Sequence, residues 1–205
     1  MEAVYTALRF DQALQLAGMI DSIVPLNAPL DLKEIEELPE TLANNPPPIS
    51  VAAFYGALKC IELLIDQGAD LTVLDALTQS MSPLFYAALS ENPASFLTLL
   101  RHVPADTGVI DYLLEQNDTQ RLHAVLKQQL PQNVLDHGVE TAIHMGNSEL
   151  VRCFLDQGAQ IQESVAQEFD EFLVEAGLKP PAHRSPFHNA CFSGDFEKVK
   201  ALLDG

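Results

Sequence analysis

Two stretches of this chain, Pro48-Ile49-Ser50-Val51-Ala52-Ala53-Phe54-Tyr55-Gly56 and Ser185-Pro186-Phe187-His188-Asn189-Ala190-Cys191-Phe192-Ser193-Gly194, are worn copies of one phrase. Each is followed by a helical pattern that ends in paired leucines, Leu63-Leu64 and Leu202-Leu203. Small residues inside a short helix, a glycine that stops it and a second amphipathic helix make a unit too small to bury its own apolar face. Such a unit must stack on a neighbour, so the phrase restricts the chain to an all-α helical solenoid.

In detail the units resemble ankyrin repeats, whose pattern is Thr-Pro-Leu-His, a small-residue pair, a glycine, a Leu-Leu helix and a closing Gly-Ala-Asp. The fullest copy runs from Pro48 to Asp70, with Gly56, Ile61, Leu63, Leu64, Gly68, Ala69 and Asp70 in place. A second is Ser82-Pro83-Leu84-Phe85-Tyr86-Ala87-Ala88 with Leu99-Leu100, where Glu91 replaces the glycine. A third spans Val139 to Ala159 and keeps Ala142, Gly146, Val151, Phe154-Leu155 and Gly158. The fourth begins at Ser185. Ser50, Phe85 and Glu140 replace the motif histidine, which weakens the hydrogen-bonded turn network without threatening the helices.

The family period is about 33 residues. Gly56 and Glu91 stand 35 apart, but Glu91 and Gly146 stand 55 apart and Gly146 and Gly194 48 apart. The first long gap holds Val109, Ile110, Leu113, Leu114, Leu122, Val125 and Leu126, a degenerate repeat centred on Asp118. The second holds Glu163 to Ala176, an extra helix with Val165, Phe169, Phe172 and Leu173 on one face. The expected organisation is a helical N-terminal cap over 1–45 and an irregular array over 46–205. Its parts are repeats at 46–81, 82–105, a degenerate 106–130 and 131–160, an inserted helix at 161–180 and a partial repeat at 184–205. In the cap, Val4, Ala7, Leu8, Ala13, Leu14, Ala17, Ile20 and Ile23 recur at helical spacing, and Asp31 to Ala43 reads as an acidic helix interrupted at Pro39. Asn44-Asn45-Pro46-Pro47-Pro48 is a stiff connector.

Twenty-nine acids against eleven bases give a formal charge of −18. This argues against a nucleic-acid partner, because phosphate binding rests on cationic neutralisation. A basic protein surface is the electrostatic complement, although acidity of this degree also serves solubility. The first residues lack a basic leader with an apolar core, and no apolar run approaches the roughly 20 residues of a membrane span. A cytoplasmic monomer is expected, with delivery into a host cell by a bacterium as the alternative.

No reaction is proposed by the side chains. Cys60, Cys153 and Cys191 lie inside repeat helices without a spaced framework, as reduced, mostly buried thiols do. Cys191 has His188 one turn earlier, but under the resemblance His188 is the turn-holding motif histidine and Cys191 the second motif alanine. His137 and His144 lack a third ligand at a defined spacing, His183 and His188 flank a turn, and no metal or cofactor is expected. Glu36-Glu37 and Asp170-Glu171 sit in charged helical stretches, which are solvated faces before they are acid–base pairs. Neither a phosphate loop nor a nucleophile elbow is present.

Recognition remains. The resemblance implies that a protein partner meets the concave side, through the fingers between repeats and the two residues before each motif glycine. Here those are Phe54 and Tyr55, Leu89 and Ser90, His144 and Met145, and Phe192 and Ser193. Several are of the aromatic or sulfur-bearing kind that anchors interfaces; the other reading packs Phe54, Leu89 and Phe192 beneath neighbouring units. The finger from Leu71 to Met81 is two residues longer than the family pattern, and Leu74, Asp75, Leu77 and Gln79 are its candidate contacts. The leading function is a non-catalytic interaction scaffold. The alternative is the substrate-targeting part of a larger enzyme or of a secreted bacterial effector, with the chemistry beyond Gly205.

Overall fold

Glycine, asparagine and aspartate decide where these helices stop. The computed structural model describes residues 1–22, 26–179 and 200, and all regular elements among them are helices. The chain divides into two compact units, Met1–Val134 and Leu135–Gly205. In the first unit α1 (Glu2–Arg9), α3 (Pro48–Phe54), α5 (Pro83–Leu89) and α7 (Thr107–Glu115) form one row. Behind it α2 (Ala13–Met19), α4 (Leu58–Asp66), α6 (Pro93–Leu100) and α8 (Thr119–Leu126) form a second. Each front helix packs on its own back helix, and α1, α3 and α5 each pack on the next front helix.

Three of the four front-to-back turns are built identically. Asp11, Gly56 and Asn117 take left-handed backbone at φ 55°, 66° and 53°. In each the following amide reaches back into the front helix: Gln12 donates to Ala7 O, Ala57 to Ala52 O and Asp118 to Leu113 O, all at 2.9 Å. This closure satisfies carbonyls that a helix end otherwise leaves open. Asparagine and aspartate are the non-glycine residues that tolerate this geometry best. The degenerate repeat therefore keeps its turn with Asn117 in place of glycine, and Asp118 caps α8 by accepting the Arg121 amide at 3.0 Å. The N-terminal helix pair has the same turn through Asp11.

Back helices start on polar caps. Asn92 accepts the Ala94 amide at 3.1 Å and opens α6. The cap position of α4 is Ala57, which has no side chain to offer. Asp11, from the preceding turn, supplies the missing acceptor and takes the Cys60 amide at 2.9 Å. Front helices are linked too: Ser82 caps α5 and its hydroxyl donates at 3.1 Å to Asp106, which caps α7.

Between the rows lie Ile49, Ala52, Ala53, Ile61, Leu64, Leu84, Ala87, Ala88, Phe96, Leu99, Ile110 and Leu113, all essentially inaccessible. Full burial of each large member is worth roughly 1.5–3 kcal/mol. The expected acidic helix from Asp31 to Ala43 does not form. Residues 31–39 are turns and irregular chain, with Glu37 at φ 56°, and only Glu40–Asn44 winds into a 3₁₀ turn. Leu30, Leu32 and Leu42 are buried. They anchor the segment at irregular points that a regular helix through Pro39 would not serve.

The second unit contains most of α9 (Gln132–His144), with α10 (Ser148–Asp156), α11 (Glu163–Glu168) and α12 (Asp170–Glu175). Its turn repeats the pattern above: Gly146 sits at φ 67°, Asn147 donates to Ala142 O at 3.0 Å, and the Asn147 side chain caps α10. Gly138 is indispensable for a different reason, because a Cβ there would stand 2.3 Å from the Phe154 ring. The inserted helix expected at Glu163–Ala176 is instead two short helices broken at Phe169, whose φ of −106° and ψ of 28° end one and begin the other. Of the four residues expected on one face, Leu173 alone is buried. The partial repeat at 184–205, with Phe192 and Ser193, lies outside the described residues apart from Lys200.

Candidate functional site

The C-terminal ends of α3 and α5 are adjacent, which brings four of the expected contact residues together. Phe54, Tyr55, Leu89 and Ser90, joined by Glu91 and Asn92, line a groove of about 520 Å³. Phe54, Tyr55 and Leu89 are half-buried, whereas the Ser90 side chain is buried. Ser90 is therefore structural: its hydroxyl accepts the Asn92 amide at 3.2 Å and its carbonyl accepts from Arg121 at 2.7 Å.

The aromatic wall is braced from α1. The Tyr55 hydroxyl lies 2.6 Å from that of Tyr5, the two rings meet edge to face at 5.9 Å, and Phe54 packs edge-on against Tyr55 at 5.1 Å. Arg9 stands over both the Tyr55 and Phe10 rings, at 5.7 and 5.4 Å. Burial, then the Tyr5 hydroxyl, push the Tyr55 phenol above its ordinary range, so it stays neutral at physiological pH. Tyr5, Arg9 and Phe10 were missed in the sequence; an arginine next to Phe10 and one turn after Tyr5, at the end of the first helix, was the signal available.

Within the finger the four expected residues divide. Asp75 is only 1% exposed and acts as the hub. It accepts the Thr78 amide and hydroxyl, the Ser80 amide and the Met81 amide, at 2.6 to 3.2 Å. Burial pushes its carboxyl up, but these hydrogen bonds outweigh burial and hold it below the usual carboxylate range. Gln79 takes the left-handed turn position at φ 51°, where the family pattern has glycine. With the hub fixed, Leu74 and Leu77 point outward, 42% and 64% exposed. The amides of Ala76 and Leu77 are donated to Asn45 and Asn44 carbonyls, which ties the finger to the preceding connector.

In the second unit His144 and Met145 are both exposed. The His144 ring packs edge-on against Phe169 at 4.9 Å, and Nδ1 donates to Glu140 O at 2.7 Å. At two of the positions where the family has its histidine, Ser50 Oγ and Glu140 Oε1 are buried without a hydrogen-bond partner. At the third, Phe85 packs on Tyr112, centroids 5.5 Å apart.

Burial, reinforced by Asp11, pushes the Cys60 thiol up to about 12, which removes the thiolate a nucleophile needs. Among the described residues no three His, Cys, Asp or Glu side chains group as a metal site requires. No helix among them is long and apolar enough to cross a membrane.

The ankyrin repeat family model matches residues 47–76. No curated protein matches the chain in sequence. Among solved structures, an ankyrin repeat protein designated EF0377 is similar over 98% of this chain and 96% of its own, at 16% identity and a TM-score of 0.50. The ankyrin repeat domain of human ASB11 is similar over 82% of each chain, at 16% identity and a TM-score of 0.48. Residues 47–76 thus match an ankyrin repeat, and the chain has the ankyrin-repeat fold.

Proposed function

We propose that this chain is a non-catalytic scaffold that holds a protein partner on its front-helix side, the concave face of the ankyrin design, between the Phe54–Leu89 groove and the finger tip. One observation carries the reading: Phe54, Tyr55 and Leu89 line a single groove whose aromatic wall is fixed by Tyr5 and Arg9. Rigid, half-buried aromatics lose little conformational freedom on binding, which is what a hot spot requires. Leu74 and Leu77, exposed on a finger locked by Asp75, supply a second apolar contact. The formal charge of −18 favours a partner with a basic rim, through faster encounter more than through affinity. The free thiols Cys60 and Cys153 suit a reducing, cytoplasmic setting. Binding by a monomer requires nothing from a second copy.

Affinity capture with the folded chain tests this, run beside Phe54→Ala/Tyr55→Phe and Leu74→Ser/Leu77→Ser variants whose helicity is checked by circular dichroism. A partner retained by wild type and lost from the groove variant supports the reading; a partner held equally by all three chains removes the site from this face.

A further inference from the structure

On the opposite side of the first unit, the back helices α6 and α8 part to leave a groove of about 740 Å³. Its walls follow one pattern. Ala94, Leu97, Thr98 and Arg101 form a single stripe of α6, and Gln120, His123, Ala124 and Lys127 the matching stripe of α8. The alanines leave the floor open because they carry nothing beyond Cβ. Leu97 is 42% exposed, and Arg101, His123 and Lys127 all reach solvent.

Charge sets this groove apart. None of its lining residues is Asp or Glu, in a chain that holds twenty-nine of them. Arg101 spends one hydrogen bond on Thr98, at 3.2 Å, and neither it, His123 nor Lys127 has an ion-pair partner among the described residues. Arg101 and Lys127 also end their helices, where a cation is favoured by the helix dipole. That accounts for a base at each helix end, but not for an acid-free trough with an exposed leucine one turn before Arg101.

We propose that this groove is a second docking surface, separate from the front-helix site, and that its occupant is an acidic peptide segment of a partner protein with one apolar anchor. The anchor packs on Leu97 over the alanine floor, and carboxylates one turn further along the groove meet Arg101 and Lys127, which stand together at the C-terminal ends of the two helices, where Gln128 donates to Leu100 O. The overall charge of −18 repels acidic chains at long range, so recognition is local and shows as contact rather than steering. The same repulsion disfavours a nucleic acid, which would need more neutralising contacts than three side chains supply.

Fluorescence anisotropy tests it, with the full chain and a labelled glutamate-rich peptide carrying a single leucine, beside the same peptide with glutamine for glutamate. Saturable binding is expected for the acidic peptide alone. Arg101→Glu/Lys127→Glu should weaken it roughly tenfold or more, given the coupling of close interfacial charges, and Ala124→Trp should block the trough. Phe54→Ala should leave this affinity unchanged, which keeps the outcome independent of the front-helix reading. Absence of saturable binding to wild type overturns the proposal. So does equal binding of the glutamine peptide, an affinity indifferent to the reversed charges in a variant with wild-type helicity, or displacement of the peptide by an equimolar single-stranded oligonucleotide.

Discussion

The neighbouring helix pairs α3–α4 and α5–α6 solve the same geometric problem by different means. In the first, the front helix ends on Gly56 at φ 66°, and the chain satisfies its own carbonyls within the turn. In the second no residue adopts left-handed backbone; Ser90 is extended at φ −69° and ψ 141°. The open carbonyls are met from outside. Arg121, on α8, donates to Ala88 O at 2.8 Å and to Ser90 O at 2.7 Å while pairing with Asp118 at 3.2 Å. A repeat that has lost its glycine is thus closed by the side chain of the next repeat, and its stability is no longer local.

The comparison breaks most sharply at Arg121. Its side chain is 13% exposed, so Arg121→Ala strips two carbonyls of their donors inside the stack. A loss of about 3 kcal/mol is expected, within the range for breaking a buried charged hydrogen-bond set. Arg121→Lys should recover only part of it, since an ammonium cannot present the fork that spans both oxygens. Urea unfolding followed by circular dichroism measures both. A loss under about 1 kcal/mol for Arg121→Ala would mean that water closes this helix end as well as the arginine does.

Gly56→Ala comes next, at about 2 kcal/mol, from left-handed strain together with crowding. The new Cβ would lie 2.5 Å from Asn92 Cβ, and Asn92 Nδ2 donates to Gly56 O at 3.0 Å, so the two repeats cannot separate without losing that bond. The equivalent change at Asn117 should cost less, because asparagine already carries a Cβ and part of the backbone strain. Equal losses at the two sites would show that backbone conformation alone, not the approach of Asn92, makes Gly56 necessary.

What could be read in the sequence follows this same division. Turns that keep glycine, at Gly56 and Gly146, announced their helix pairs directly. The pair around Asp118 was located by its apolar spacing, although Asn117 hid the turn. The pair at α1–α2 was harder: the helical periodicity of Val4 to Ile20 runs straight through Asp11, whose left-handed backbone breaks it, and nothing local marks an aspartate for that role. The expectation of helix at Asp31–Ala43 failed because burial of Leu30, Leu32 and Leu42 outweighs helix propensity in an acidic segment. Phe54, Tyr55 and Leu89 were legible as a group because the repeat register places them. Tyr5, Arg9 and Arg121 were not, since their partners lie some 30 to 50 residues away, at 50 for Tyr5–Tyr55 and 31 for Arg121–Ser90.

Asp11 offers a smaller test of closure from outside. Its carboxylate caps α4 across the repeat boundary, and Asp11→Ala should cost about 1 kcal/mol, the usual worth of a helix N-cap. Ala57→Ser places an acceptor at the local cap position and should restore much of the loss. Thermal or urea unfolding of the single and double variants checks this. Additive effects would show that the two positions do not serve the same helix end.

The smallest effect is expected at the finger, and its sign can be worked out. The Asp75 carboxyl lies below the unfolded value of about 3.9, because the bonds from Thr78, Met81 and Ser80 outweigh the opposing effect of burial. A depressed carboxyl adds stability that is fully present above the unfolded pKa and is lost as pH falls through the folded one. The finger should therefore stay closed from neutral pH down to about pH 4 and open below it. The back-helix rows should keep their helicity over that interval, since the hub is confined to residues 75–81. Amide exchange at Thr78, Ser80 and Met81 reads the opening directly, and Thr78→Val should raise the pH at which it occurs by removing the hydroxyl donor. Protection that persists unchanged in acid would assign the closed finger to its backbone ties at Asn44 and Asn45 rather than to Asp75. Leu74 and Leu77 would then be held outward by the connector, and the length of the finger, not its buried carboxylate, would set how far its apolar tip reaches toward a partner.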